Sequence, residues 1–396
     1  MPLFPSGNNS SGNNSTASPS ASTGTSTPSP SRTATKPSTP AASASASTDT
    51  GDAATRAKAM ATSMSLEEKA GQLIMAPLFA GDSPSTVRSL VVDRHVGSIV
   101  LIGNWSGGTA SVSQATGTVQ GYTTDGVKLL ICTDQEGGQV QHLTGTGFDT
   151  MPSALEQGQS ATATLRKSAA AWGAQLKAAG VNADLAPVAD TVQTASRAQN
   201  APIGALDRDF GLDAAGNGGH AAAFIAGMRS SGVMTTVKHF PGLGAVAGNT
   251  DFTTEGITDT VTTLGGGQTV GFAEALKAKP EMVMMSLATY RRIDPSQPAA
   301  FSKTIIDGYL RSKLGFQGVV TSDSMSAQAV SGIPTKDLGT RFIAAGGDLV
   351  CIGDTATVAT ILQGIIDKAK SDPSFAKAVD RSAQRVLAMK IAAGLA

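Results

Sequence analysis

The sequence predicts an α/β protein, a (β/α)8 barrel of the TIM type preceded by a disordered leader. Three observations carry that expectation. Short, β-rich apolar runs recur from residue 53 onward, eight in all, each followed by polar or glycine residues. Several of the gaps between them show the three-and-four spacing of amphipathic helices. No GxGxxG follows the first run, which weighs against a dinucleotide-binding sheet. Runs of this kind read as strands buried on both faces, and strands alternating with helices read as a parallel sheet. Eight such units favour a closed barrel over an open doubly wound sheet.

The leader comes first. Residues 1–52 are almost all Ser, Thr, Pro, Ala, Gly and Asn. Arg32, Lys36 and Asp49 are the only charges in the first fifty residues, and Leu3 and Phe4 the only large apolar side chains after Met1. Such a segment cannot bury enough apolar surface to offset its ordering entropy, so it is expected to be disordered. Residues 53–396 are expected to form one barrel domain.

Within 53–396 the stretch SMSLEEKAGQLIM opens a helix, with Ser63 or Ser65 as cap and Glu67 and Glu68 in the first turn. The predicted strands are 73–77, 98–102, 128–133, 183–188, 235–237, 282–286, 318–321 and 348–352. Leu165, Ala169, Trp172, Leu176 and Ala179 line one helix face, which Gly180 ends. Residues 220–228 read as an Ala-rich amphipathic helix. Residues 302–314 start with a cap, repeat apolar residues at Ile305, Ile306, Tyr309 and Leu310, and stop at Gly315. A last helix, 379–393, carries Val386, Leu387 and Met389.

Composition excludes several functions. Formal net charge is zero, without long charge runs, which argues against a nucleic-acid partner. No stretch of about 18 apolar residues exists to span a membrane. The opening MPLFPSGNN lacks the basic and apolar regions of a signal peptide. A Ser/Thr/Pro-rich stalk before a globular domain nevertheless suits an exported, wall-facing protein, so an extracellular or envelope location is expected, with a signal or anchor upstream. The alternative is a cytoplasmic protein with a disordered tail. Cys132 and Cys351 sit in apolar runs and read as buried thiols. His95, His142, His220 and His239 include no pair at metal-ligand spacing, so no metal is expected. A monomer is expected.

In such a barrel the chemistry collects where strands end. The strand ends offer Asp134, Asp190, Lys238 with His239, Ser286, Asp323 and Asp354. Any one carboxylate there reads more readily as a helix cap. Asp134, Lys238, His239 and Asp323 sharing one rim are harder to explain as caps. Carboxylates, a lysine and a histidine, with no phosphate loop, suit the binding of hydroxyls and acid–base or nucleophilic work at an acetal. No GxSxG supports acyl transfer.

Seven stretches, in order over about 60–393, resemble the family 3 glycoside hydrolases of the β-N-acetylglucosaminidase type. DQEGGQVQHL resembles that family's DQEGGRVQR, and VKHFPGLG its KHFPGHG. NADLAPVAD, LDRDFG, VMMSLATYRRIDPSQPAAFS, GFQGVVTSDSM and AGGDLVCIG resemble its remaining segments. The resemblance implies a (β/α)8 barrel that needs no cofactor and acts on a carbohydrate substrate. It implies Asp323 as the nucleophile of a retaining mechanism, and Asp134, Arg208, Lys238 and His239 as residues that hold the terminal sugar. His142 stands where the family carries a sugar-contacting arginine, and Gln139 replaces another.

The family's general acid/base is the histidine of an Asp-Ser-His triplet. Here that triplet aligns with Asn249, Thr250 and Asp251, and Leu243 replaces the histidine of GHG. Three readings follow. Asp251 is itself the acid/base, held by Asn249, with its pKa raised by burial or a neighbouring carboxylate. Glu255 supplies the proton instead. Or the protein binds glycans without cleaving them. A phosphorylase and a plain turn role for Asp251 complete the alternatives. Gly242, Gly244, Gly248 and Gly256 suggest a loop able to close over the sugar. The function expected is an exo-acting, retaining β-glycosidase on β-N-acetylhexosaminides of wall-derived glycans, with Asp323 and Asp251 as its catalytic pair.

Overall fold

The computed structural model describes residues 48–123, 126–193 and 195–396, with 48–51 as backbone alone. The disorder expected for residues 1–47 lies outside the described residues.

All eight expected strands form, in one parallel sheet. They are β1 (Ile74–Phe79), β2 (Ser98–Ile102), β3 (Leu130–Thr133), β4 (Ala183–Asp184), β5 (Met234–Phe240), β6 (Met282–Met285), β7 (Val319–Ser322) and β8 (Val350–Cys351). Each pairs with its neighbours in chain order, and β8 pairs back onto β1 through Ile74–Val350 and Met75–Cys351. A bridge between Thr321 and Leu349 joins β7 to the segment entering β8, so the barrel closes. Almost every strand residue is buried, because side chains on one face fill the barrel and those on the other meet the helices.

Two strands depart from expectation. The fourth run, 183–188, pairs regularly only over Ala183–Asp184. Pro187 has no N–H to give the ladder, and pairing resumes at the Val188–Lys238 bridge. The fifth strand is longer than 235–237. It runs on to Phe240, so Lys238 and His239 are strand residues and not the start of a loop.

The helices are α1 (Thr48–Ser63), α2 (Leu66–Gln72), α3 (Arg88–Val92), α4 (Gly108–Gln120), α5 (Thr162–Ala178), α6 (Ala214–Ser230), α7 (Gln268–Leu276), α8 (Thr304–Lys313), α9 (Thr335–Ala344), α10 (Thr355–Ser371) and α11 (Pro373–Ala392). Ser65, not Ser63, caps α2, in a reciprocal box with Glu68. α8 is wound as a π-helix, which its apolar spacing did not announce.

The first helix, α1, begins at Thr48, ahead of the boundary expected at 52/53. Its Ala53, Ala57 and Ala61 pack with Val127, Leu387 and Ile391 beneath the barrel, and that contact extends the helix back into the polar leader. Cys132 and Cys351 are buried free thiols on β3 and β8. No described helix is long and apolar enough to cross a membrane.

Candidate active site

The carboxyl ends of the strands converge on one cavity. Asp134, His142, Arg208, Lys238, His239, Asp251 and Asp323, the seven residues singled out in the sequence, all line it. Apolar side chains of Val100, Ile102, Leu185 and Met284 line it too.

Lys238, near the end of β5, is 1% exposed. Its Nζ lies 2.5 Å from Asp134 Oδ1 and 2.5 Å from Glu136 Oε1. Glu136 stands on a short hairpin strand, Gln135–Gly137, directly after β3. It also grips Arg208 with both oxygens, accepting from Nε at 2.8 Å and from Nη2 at 2.7 Å. Two cations and two carboxylates thus neutralise one another in a site too dry to hold any of them alone. Burial by itself would raise the Glu136 pKa. Arg208 and Lys238 outweigh burial and hold it well below the carboxylate range. Burial likewise pulls Lys238 and Arg208 down, but the facing carboxylates leave both above their usual values.

His239 Nδ1 lies 2.7 Å from Asp190 Oδ2, and Asp190 also accepts from the backbone N–H of Leu243 at 2.8 Å. Asp190 therefore sets both the imidazole and the start of the following loop. Arg208 Nη2 approaches His239 Nε2 at 3.4 Å. His142, at the end of the hairpin, directs Nδ1 to the Gly103 carbonyl at 2.9 Å. Burial lowers its pKa, so the neutral ring donates through Nδ1.

The two candidate catalytic carboxylates follow β5 and β7, the strands on either side of β6. Asp323 follows β7, its N–H donating to Met285 O at 3.0 Å, while its Oδ1 accepts from Ser324 N at 2.8 Å. Asp251 hangs from the loop after β5. Burial, and next the negative charge of Asp323, raise its pKa from 3.8 to about 7. Asn249 Oδ1 accepts from the Asp251 N–H at 3.0 Å, so Asn249 holds the backbone and not the carboxylate. Glu255 is exposed and is not among the cavity-lining residues.

The loop is closed down. Asn200 Nδ2 donates to the carbonyls of Leu243 and Val246, and the N–H groups of Gln328 and Ala329 donate to the carbonyls of Asp251 and Thr250. Beneath it, the space open to water is about 30 Å³. That volume holds a few waters.

Other strand-end residues prove structural. Asp354 caps α10. Ser286 hydrogen-bonds with Tyr290 Oη and the N–H of Ala288, and lies outside the cavity lining. Sequence reasoning passed over Glu136 as a site residue, and its signal was its place two residues after Asp134. Asp190 stood among the strand-end carboxylates, but only the fold shows what it orients.

The family model of the glycosyl hydrolase family 3 N terminal domain matches residues 65–389. The chain is 29% identical over 340 residues to the β-hexosaminidase LpqI of Mycobacterium tuberculosis, which covers 83% of each chain. It is 29% identical over 276 residues to an uncharacterized secreted glycosyl hydrolase of Arthroderma benhamiae, covering 68% of this chain and 76% of that one. The crystal structure of a β-N-acetylhexosaminidase from Beutenbergia cavernae shares 43% identity and superposes with a TM-score of 0.81, covering 83% of this chain and 98% of that one.

Proposed function

The chain belongs to glycosyl hydrolase family 3 and is a glycoside hydrolase acting on β-linked sugars; on that premise we propose that it is an exo-acting, retaining β-N-acetylhexosaminidase of wall-derived glycans. Asp323 attacks the anomeric carbon and forms a glycosyl ester. Asp251, protonated, gives its proton to the departing oxygen. The Asp251 carboxylate then takes a proton from water as water cleaves the ester, which restores both groups. Asp134, Arg208, Lys238, His239 and His142 hold the hydroxyls of the terminal sugar.

One observation carries this reading. Asp251 and Asp323 line the same cavity, and the charge of Asp323 helps to keep a proton on Asp251 near neutral pH. A carboxyl group that keeps its proton near neutral pH beside a second carboxyl group suits acid catalysis paired with nucleophilic attack, and a protein that only binds glycans has no need of it. The names of the similar proteins, β-hexosaminidase and β-N-acetylhexosaminidase, support the choice of sugar. The secreted relative and the Ser/Thr/Pro-rich leader support an extracellular or envelope-associated site of action.

The test is a panel of aryl β-glycosides assayed with wild type, Asp323→Ala and Asp251→Ala. Activated leaving groups need little acid assistance. Asp251→Ala should retain turnover of nitrophenyl N-acetylglucosaminide, lose cleavage of chitobiose, and recover rate with added azide. Asp323→Ala should be inactive on both. A wild type silent on every sugar of the panel would sink the enzymatic reading.

A further inference from the structure

Beside the catalytic cavity, on the same rim, lies a second groove of about 670 Å³, a size suited to a small oligosaccharide. Residues 80–85, which follow β1, form one wall. Residues 104–107, which follow β2, and the outer face of α4 form the other. Along α4 the lining positions Ser111, Gln114 and Thr118 recur at helical spacing and Tyr122 follows the helix end, so the groove runs from the rim down the side of the barrel.

The lining has a definite chemistry. The side chains of Asn104, Ser106, Ser111, Gln114 and Tyr122 have no hydrogen-bond partner among the described residues. They are hydroxyl and amide groups with unused donors and acceptors. Asp82 is the only charged residue among the lining residues. One partly exposed aromatic ring borders the groove, that of Tyr122, while Trp105 at its floor is buried in the core and fixed by donation from Nε1 to the Ile102 carbonyl at 3.1 Å. Neutral hydrogen-bonding groups in a concave surface beside an aromatic ring match a neutral polyhydroxylated ligand, and a nearly uncharged lining offers nothing to a polyanion.

The groove shares a wall with the catalytic cavity. His142 binds that wall from the cavity side, through Nδ1 to Gly103 O and through its own carbonyl to the Trp105 N–H at 2.9 Å. We propose that this groove is a second carbohydrate-binding site, which holds a neutral β-linked oligosaccharide segment of the polymer whose end the catalytic pocket processes. The choice of sugar rests on the hexosaminidase reading, while the site itself rests on the groove.

The experiment uses the full chain. Asp323→Ala, which cannot turn over, is titrated calorimetrically with chitotetraose and with cellotetraose. Two binding events are expected with at least one of them. Adding Tyr122→Ala and Gln114→Ala should remove or weaken one event about tenfold, the loss of roughly 1.4 kcal/mol. In the otherwise native enzyme, the same pair should leave kcat/KM on nitrophenyl N-acetylglucosaminide unchanged and lower the rate on colloidal chitin about tenfold. Asn104→Ala, at an exposed residue, repeats the test should the pair disturb folding. A single binding event with both tetraoses, unaltered by these variants, overturns the groove and leaves the hexosaminidase reading intact. A wild type inactive on the aryl substrate defeats the hexosaminidase reading, and the titrations still decide the groove.

Discussion

At the scale of single residues, the proposed role of Asp251 as acid/base requires an aspartate that keeps its proton near neutral pH. A histidine reaches a pKa near neutrality by its nature, whereas an aspartate must be forced there. Enclosure and the charge of Asp323 do the forcing, raising Asp251 to about 7. The sign follows for catalysis and for stability. Asp251 is protonated below about 7, so kcat/KM on chitobiose should fall as pH rises through about 7, and that limb should be much weaker on nitrophenyl N-acetylglucosaminide, whose leaving group needs little acid help. Between 3.8 and about 7 the folded protein holds a proton that the unfolded chain has released, so this group's contribution to stability declines as pH rises through that window. Asp251→Asn should therefore be more stable than wild type at pH 8, with the gap closing below pH 4. Denaturant midpoints at the two pH values measure it, and an equal gap at both would show that Asp251 is not perturbed. Asp134, Arg208, Lys238, His239 and Asp323 were legible as a set because each occupies a strand end or a short motif. The role of Glu136 was not, because its two cations come from positions 72 and 102 residues away.

At the scale of elements, the loop 243–256 joins chain geometry to chemistry. Its glycines suggested hinges in the sequence, and the structure gives two of them a different cause. A Cβ on Gly244 would lie 1.8 Å from the Thr191 carbonyl oxygen, and one on Gly248 would lie 2.0 Å from that of Glu255. These are points of close backbone approach, where a methyl group has nowhere to go. Gly244→Ala should push the loop off Thr191 and carry Asp251 with it. The expected result is a loss of roughly 1–3 kcal/mol in stability, read from denaturant midpoints, together with a fall in kcat/KM on chitobiose larger than that on activated aryl substrates. Equal losses on both substrates would mean that the loop does not position the acid. Strands were legible because barrel strands are apolar on both faces. The small sheet of Thr258–Asp259, Thr289–Tyr290 and Asp294–Pro298 was not, since short polar strands have no such pattern and exist only through their partners. The π-winding of α8 was hidden for a related reason: the i+3/i+4 pattern identifies a buried helix face but not the bond that closes its turns.

At the scale of the whole molecule, the barrel separates chemistry at one end from closure at the other. Eight runs of buried strand made the barrel legible, but nothing in their pattern showed how its far end is sealed. α1 and α11 pack together there, and Lys390 of α11 is wholly buried, its Nζ donating to Gln72 Oε1 and to the Gly97 carbonyl, each at 2.7 Å. A lysine near the end of a surface helix reads in sequence as solvated, and only the fold places it inside. Burial pushes its pKa from 10.5 down to about 7. Between these values the unfolded chain holds a proton that the folded protein has released, so this group's contribution makes stability rise with pH through that window. At and below about 7 the charged amine has no carboxylate partner to offset its desolvation, so its cost is then largest. Lys390→Met fills similar volume without the charge. It should flatten the rise in denaturant midpoint between pH 7 and pH 10, while kcat/KM on aryl substrates stays unchanged because the site lies at the opposite end of the strands. An unchanged slope would show that Lys390 keeps its ordinary pKa through local hydration. A change in kcat/KM with an intact fold would show that the two ends of the barrel are coupled.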